Sequence, residues 1–137
     1  MRYPFHLAFH VTDLRAAREF YSGALGAEEG RSTETWVDFD VFGHQLSLHL
    51  GTPFVTAATG QVGDTMVPMP HLGFVLPLDD WKALAQRLEN YGVAFVIPPL
   101  VRFEGEPGEQ WTMFFNDPSG NPIEVKGFAE MEGVFAS

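Results

Sequence analysis

The sequence predicts an α+β fold: two tandem βαβββ modules whose strands form a curved mixed sheet around a metal cavity. Three observations carry that expectation. An alternating apolar segment headed by a histidine, and followed by a capped amphipathic helix, occurs twice, starting at His6 and at His71. A hairpin pattern follows each, and the two hairpins run to His49 and Glu124. Trp36 precedes His49, and Trp111 precedes Glu124, by the same 13 positions, while Phe39 and Phe114 precede those endpoints by 10. One such module leaves a sheet face unburied, so two must combine to enclose a cavity.

Each element has a local reason. Phe5 to Val11 alternates as a strand, and Thr12 or Asp13 caps a helix through Leu14 to Tyr21, with Gly23 and Gly26 marking its end. Glu28 to Thr33 leaves room for a short strand. Trp36 to Asp40 and Gln45 to Leu50 read as strands around a turn at Phe42-Gly43-His44. This first module covers about residues 1–55. Residues 51–70 are rich in Gly, Thr and Pro without periodicity and read as the connection. The second module covers about residues 71–128. His71 to Leu76 is a strand, Asp79 or Asp80 caps a helix from Trp81 to Tyr91, and Gly92 closes it. Val93 to Ile97 is a strand stopped by Pro98-Pro99, and Trp111 to Phe115 with Pro122 to Lys126 makes the last hairpin. An acidic insertion between Val101 and Glu109 lengthens the second module. At 137 residues the modules fit one domain with a real core.

Composition narrows the partners. A net charge of -10 with no basic stripe argues against nucleic acid and against an anionic membrane surface. The absence of cysteine excludes disulfides, thiolate metal sites and a cysteine nucleophile. No apolar run approaches membrane-spanning length, and the first residues lack the apolar stretch of a signal peptide, so a cytoplasmic protein with a small-molecule partner is expected.

The chemistry is expected where the strands begin and end. Period-two alternation places Ala8 and His10 on the face of His6, Gln45 and Ser47 on that of His49, and Pro122 and Lys126 on that of Glu124. Leu7, Phe9 and Val11, with Leu46, Leu48 and Leu50, make the opposite face apolar, so helices should cover that side and a polar cavity should lie on the other. Two imidazoles and one carboxylate with open positions suit non-haem Fe(II), and also Mn, Zn, Ni or Co. His6, His71 and Glu124 are the expected ligands. His49 is read as a fourth ligand, an acid/base residue or a spectator. His44 is a turn residue, Asp13 and Asp80 are caps, and Trp36 and Trp111 are walls of the core or pocket.

At these residues the chain resembles the vicinal oxygen chelate superfamily, which includes glyoxalase I, extradiol dioxygenases, and fosfomycin- and bleomycin-resistance proteins. The matching stretches are His6-Leu-Ala-Phe-His-Val-Thr-Asp-Leu14 with Phe20-Tyr21 and Leu25-Gly26, then His71-Leu-Gly-Phe74, then Phe114-Phe-Asn-Asp-Pro-Ser-Gly-Asn-Pro-Ile-Glu124. They span nearly the whole chain. The resemblance implies that His6, His71 and Glu124 match the facial triad of metal-dependent members. It also implies that His49 is the proton-handling residue of a dioxygenase-like enzyme, where glyoxalases carry Glu. It implies a homodimer as well. The chain departs from ring-cleaving members at Phe114, where those carry Tyr, and lacks one further histidine.

The resulting expectation is a metal-dependent, dioxygenase-like enzyme acting on a small vicinal-oxygen substrate such as a catechol. Fe(II) would be held by His6, His71 and Glu124, a proton moved by His49, and the pocket lined by His10, Gln45 and Phe114. The alternatives are a glyoxalase- or epimerase-like lyase/isomerase that uses a divalent metal, and a small-molecule-binding protein without turnover.

Overall fold

A computed structural model describes residues 3–136. The α+β architecture takes the form of two four-stranded sheets, each carrying helix on one face, with a separate two-stranded hairpin. The chain divides into two compact units. The first comprises the chain up to Thr56 together with Asp117–Asn121, and the second comprises Ala57–Asn116 with the chain from Pro122 onward.

The first unit holds β1 (His6–Val11), α1 (Leu14–Glu19), β2 (Glu28–Ser32), β3 (Trp36–Val41) and β4 (His44–Leu50). Its sheet order is β1-β4-β3-β2, with β1 parallel to β4 and the other pairs antiparallel. Asp13 caps α1, its Oδ1 accepting from the Ala16 amide at 3.1 Å. The helix loosens into a π-helical turn at Phe20–Ala24. Ala17, Phe20, Tyr21, Ala24 and Leu25 are buried with Val37, Phe39, Val41, Leu46 and Leu48, which makes the apolar face of the sheet its helix face. Tyr21 and Phe39 stack with ring centres 5.7 Å apart.

The segment Asp117–Asn121 completes this unit through a buried carboxylate. Asp117 is 4% exposed and accepts four hydrogen bonds at 2.9 Å: from the Ser119 and Asn121 amides, the Asn121 side chain and the Tyr21 hydroxyl. Asn121 also donates to the His10 carbonyl at 3.0 Å, and the Thr12 amide donates to Ser119 Oγ at 2.9 Å. A buried charge is tolerated when its lone pairs are filled in this way. Burial, and then the neighbouring Asp117 charge and its hydrogen bond, push the Tyr21 phenol well above its ordinary ionisation range.

The second unit holds β5 (Ala57–Val62), β6 (Thr65–Met69), β7 (Leu72–Pro77), α2 (Leu78–Tyr91), β8 (Phe95–Arg102), β9 (Gln110–Asn116) and β10 (Pro122–Phe128), then a 3-10 turn at Met131–Phe135. Its sheet order is β7-β10-β9-β8, again with one parallel pair, β7 with β10. Trp81, Leu84, Ala85 and Leu88 form the buried stripe of α2, and Trp81 donates its indole N–H to the Val125 carbonyl at 2.9 Å. Gly92, with φ +89, closes the helix in the left-handed region. Gly127 is required for this packing, since a Cβ there would lie 2.6 Å from Trp81 Cγ.

Three expectations need correction. Residues 51–70 are not a plain connection, because β5 and β6 pair as an antiparallel hairpin across Gly63-Asp64. Gly60 in one arm and Pro68 in the other hide its alternation. Pro98-Pro99 does not stop a strand: β8 runs through both to Arg102, with pairing shifts on either side of Ile97. It is the last strand of its sheet, where proline without an amide N–H is tolerated. Asp79 and Asp80 do not cap α2, whose cap residue is Pro77, and instead lie in its first turn, where acidic side chains favour the positive end of the helix dipole.

Candidate metal centre

The second unit brings two of the expected ligands together. His71 immediately precedes β7, and Glu124 lies on β10, opposite Gly73 of β7 and Phe114 of β9. His71 Nε2 and Glu124 Oε1 are 3.3 Å apart, with side chains 20% and 14% exposed. His71 Nδ1 lies 2.6 Å from the Pro68 carbonyl oxygen, an acceptor only, so this nitrogen carries the hydrogen. On the carboxylate, Oε2 accepts from the Thr112 hydroxyl at 2.7 Å, which leaves Oε1 turned to the imidazole. The far atoms of both side chains are thus tied back and the near atoms converge. Gly73 keeps the neighbouring strand clear, since a Cβ there would lie 2.8 Å from the Glu124 carbonyl oxygen.

This donor set fits a divalent cation. In a neutral ring whose proton sits on Nδ1, Nε2 presents a lone pair to the carboxylate, an arrangement that needs a shared cation or proton to be favourable. A metal about 2.1 Å from each atom can bridge a gap of this size. Outer partners of the kind Pro68 and Thr112 provide are what orient metal ligands in general. Among the described residues, however, no group of three or more His, Cys, Asp or Glu side chains is gathered at metal-binding spacing.

Phe114 differs from its expected role as a pocket-lining residue. It is 1% exposed, packs edge-on against the His71 ring at 4.9 Å, and clusters with Val67, Ile97 and Leu100. It supports the histidine from behind and offers little surface to a ligand. The β5–β6 hairpin supplies Val67 to this cluster, and its strands carry no alternation that would reveal the backing of Phe114.

The first unit carries the remaining candidates on one sheet face. The register pairs His6 with Gln45, Ala8 with Ser47 and His10 with His49. It also pairs Asp38 with Ser47 and Trp36 with His49. His6 is exposed, with Nδ1 2.8 Å from Gln45 Oε1. Gln45 Nε2 is directed to Asp38 Oδ2 at 3.5 Å, and the Ser47 hydroxyl donates to Asp38 Oδ1 at 2.6 Å. His10 and His49 line a cavity of about 270 Å³ with Ala8, Phe9, Thr52 and Phe54. The His49 ring lies 6.3 Å from that of Trp36, and Gly51 sits close under the His10 ring, where a Cβ on Gly51 would lie 2.6 Å from His10 Cδ2. Gln45 also borders a separate, open cavity of about 540 Å³ that includes Arg31 and Asp40. His44 opens β4 and accepts from the Phe5 amide at 2.9 Å, a structural role.

The strand ladders correct the equivalence of His49 and Glu124. Phe9 and Phe74 are both buried, as are Val11 and Leu76, which aligns His6 with His71. Ala8 pairs with Ser47, and Gly73 pairs with Glu124. Ser47 therefore holds the position of Glu124, and His49 that of Lys126. Equal counting from the tryptophans fails because Phe42-Gly43 joins β3 to β4, whereas Asp117–Asn121 joins β9 to β10. A one-residue slip reverses the face of a strand. Trp36 accordingly shares the face of His49, while Trp111 packs on Trp81 of α2, 5.6 Å away.

The family model of the Glyoxalase/Bleomycin resistance protein/Dioxygenase superfamily matches residues 4–125. The chain belongs to this superfamily, the vicinal oxygen chelate proteins. Among solved structures, it is similar to a glyoxalase/bleomycin resistance protein/dioxygenase from Alicyclobacillus acidocaldarius, with 29% identity, TM-score 0.80, and coverage of 98% of this chain and 100% of that one. It shares the fold of the fosfomycin resistance protein FosX from Listeria monocytogenes, with 19% identity, TM-score 0.68, and coverage of 97% and 98%. A mutant of that resistance protein was solved with Mn(II) and 1S,2S-dihydroxypropylphosphonic acid, at TM-score 0.66, 19% identity, and coverage of 97% and 94%. No curated protein matches the chain. Within the superfamily, His71 and Glu124 are the candidate centre of this vicinal oxygen chelate protein. No helix among its described residues is long and apolar enough to cross a membrane.

Proposed function

We propose that this protein is a divalent-metal-dependent enzyme acting on a small substrate with two neighbouring oxygens, and that its reaction is a dioxygenase-type cleavage of a catechol. The observation that carries the reading is the His71–Glu124 pair, with its near atoms 3.3 Å apart and its far atoms tied to Pro68 and Thr112. His6 supplies the third ligand in this proposal, and Fe(II) is the preferred metal because two imidazoles and a carboxylate suit it. A cation so held would supply Lewis acidity and a template for adjacent substrate oxygens, with Fe(II) adding reactivity toward O2.

The remaining roles belong to the chain's own side chains. His49, which borders the cavity, takes or returns a substrate proton at its ring nitrogen. His10 provides a second polar group in the same cavity, and Phe9 and Phe54 supply apolar wall for a flat ring. Phe114 holds the His71 ring in place. A homodimer belongs to the proposal too, on the strength of the family resemblance, and sedimentation checks it.

The test is oxygen consumption by anaerobically Fe(II)-loaded protein offered a panel of catechols. Uptake with ring-opened product is expected, together with its loss in His49→Ala under retained metal. No uptake, with isomerisation of a hemithioacetal, would make the protein a lyase/isomerase. A purified protein that takes up no stoichiometric divalent metal would be a binding protein.

A further inference from the structure

We infer that Gln45, oriented by Asp38, is a positioning residue that fixes the tautomer of His6 and leaves its Nε2 bare for a divalent cation. The inference rests on the metal reading above and gives Gln45 a task other than substrate contact.

A chain of donors and acceptors runs along one face of the first sheet. His6 and Gln45 are partners in the β1–β4 ladder, and Asp38 and Ser47 are partners in the β3–β4 ladder. Asp38 is 9% exposed, and its carboxylate can only accept. Ser47 fills Oδ1 with its hydroxyl at 2.6 Å, and the end of Gln45 turned to Oδ2 at 3.5 Å must therefore be the amide NH2. The reverse orientation would set the amide oxygen against a carboxylate that is itself only 9% exposed. Gln45 Oε1 is consequently the atom 2.8 Å from His6 Nδ1, and an amide oxygen can only accept. The hydrogen lies on Nδ1. In the neutral ring, Nε2 then holds a lone pair.

The second unit gives independent support. His71 reaches the same state with an unrelated acceptor, the Pro68 carbonyl, at 2.6 Å from Nδ1. In water the neutral histidine ring prefers its hydrogen on Nε2, so each site works against the intrinsic preference. Ser47, at the position of Glu124 in the repeat, is also accounted for: its hydroxyl is committed to Asp38, which anchors Gln45.

The experiment uses the full, metal-free, 15N-labelled protein at a pH well above imidazole titration, with ring nitrogens read by long-range 1H–15N correlation. Mn(II) affinity is measured in parallel. Wild type is expected to show the Nδ1–H form at His6 and His71. Gln45→Leu should shift His6 toward the Nε2–H form, leave His71 unchanged as the control for folding, and weaken Mn(II) binding roughly 10–100-fold. The reciprocal pair Asp38→Asn with Gln45→Glu should restore both readings, because the carboxylate then accepts from His6 and the amide donates to it. A wild-type His6 that is mainly Nε2–H, or a His6 signal indifferent to Gln45→Leu, overturns the inference. A tautomer that follows Gln45 in a protein that never takes Mn(II) overturns the metal reading, and with it the purpose assigned here, while the Gln45–His6 coupling itself stands.

Discussion

The two units share one plan but use their polar sheet faces differently. The second places a carboxylate at the repeat position on β10, and Glu124 faces His71 there with both side chains half-buried. The first places Ser47 at that position and turns its hydroxyl to Asp38, leaving His6 exposed beside Gln45. Duplication thus need not yield two equal sites. A carboxylate brings charge to the histidine directly, whereas a hydroxyl anchors a relay that only orients it.

The comparison is broken most severely at the second unit's pair. Glu124→Ala is expected to abolish stoichiometric divalent metal at micromolar protein, measured by elemental analysis after dialysis, while Ser47→Ala should retain it. A Ser47 variant that loses metal as completely would make the units equivalent. The first unit's own weight falls on stability. Asp117→Ala removes the acceptor of four hydrogen bonds and should cost on the order of 3 kcal/mol in denaturant unfolding. Gly127→Ala forces a Cβ against the Trp81 ring base and should cost about 1–3 kcal/mol. Gly51→Ala brings its Cβ first against the His10 ring, which can swing away, and should cost less. Thr112→Val leaves Glu124 Oε2 without its donor and should weaken metal binding about tenfold with little change in unfolding.

The smallest expected effect is a pH signature confined to the first unit. The folded chain holds Tyr21 neutral well beyond its ordinary range, whereas the unfolded chain ionises it near pH ~10. The native state therefore binds more protons above that pH, and stability falls as pH rises. Below it, the contribution is fully present. Tyr21→Phe should flatten this alkaline limb in urea titrations, at the cost of one hydrogen bond to Asp117.

Alternation made the strand faces readable. His6, Ala8 and His10 do share a face with Gln45, Ser47 and His49, and apolar residues do meet the helix. Gly92 and Asp13 acted as helix signals for the steric and hydrogen-bonding reasons that make such residues signals at all. What could not be read were relations set by pairing. The slip between Trp36 and Trp111 arises from turn length, which counting from a shared endpoint conceals. The β5–β6 hairpin lacks alternation, so Val67 and the backing of Phe114 were invisible. The partners Pro68 and Thr112 exist only once strands are in register, and Pro68 acts through a carbonyl that every residue possesses.

The most direct test of the central claim is metal stoichiometry and affinity across four single variants, His6→Ala, His71→Ala, Glu124→Ala and His49→Ala, each loaded with Fe(II) or Mn(II) without oxygen. The account predicts one ion per chain in wild type and in His49→Ala, and loss of tight binding in the other three. A His49→Ala protein that loses the metal while His6→Ala retains it would contradict the account.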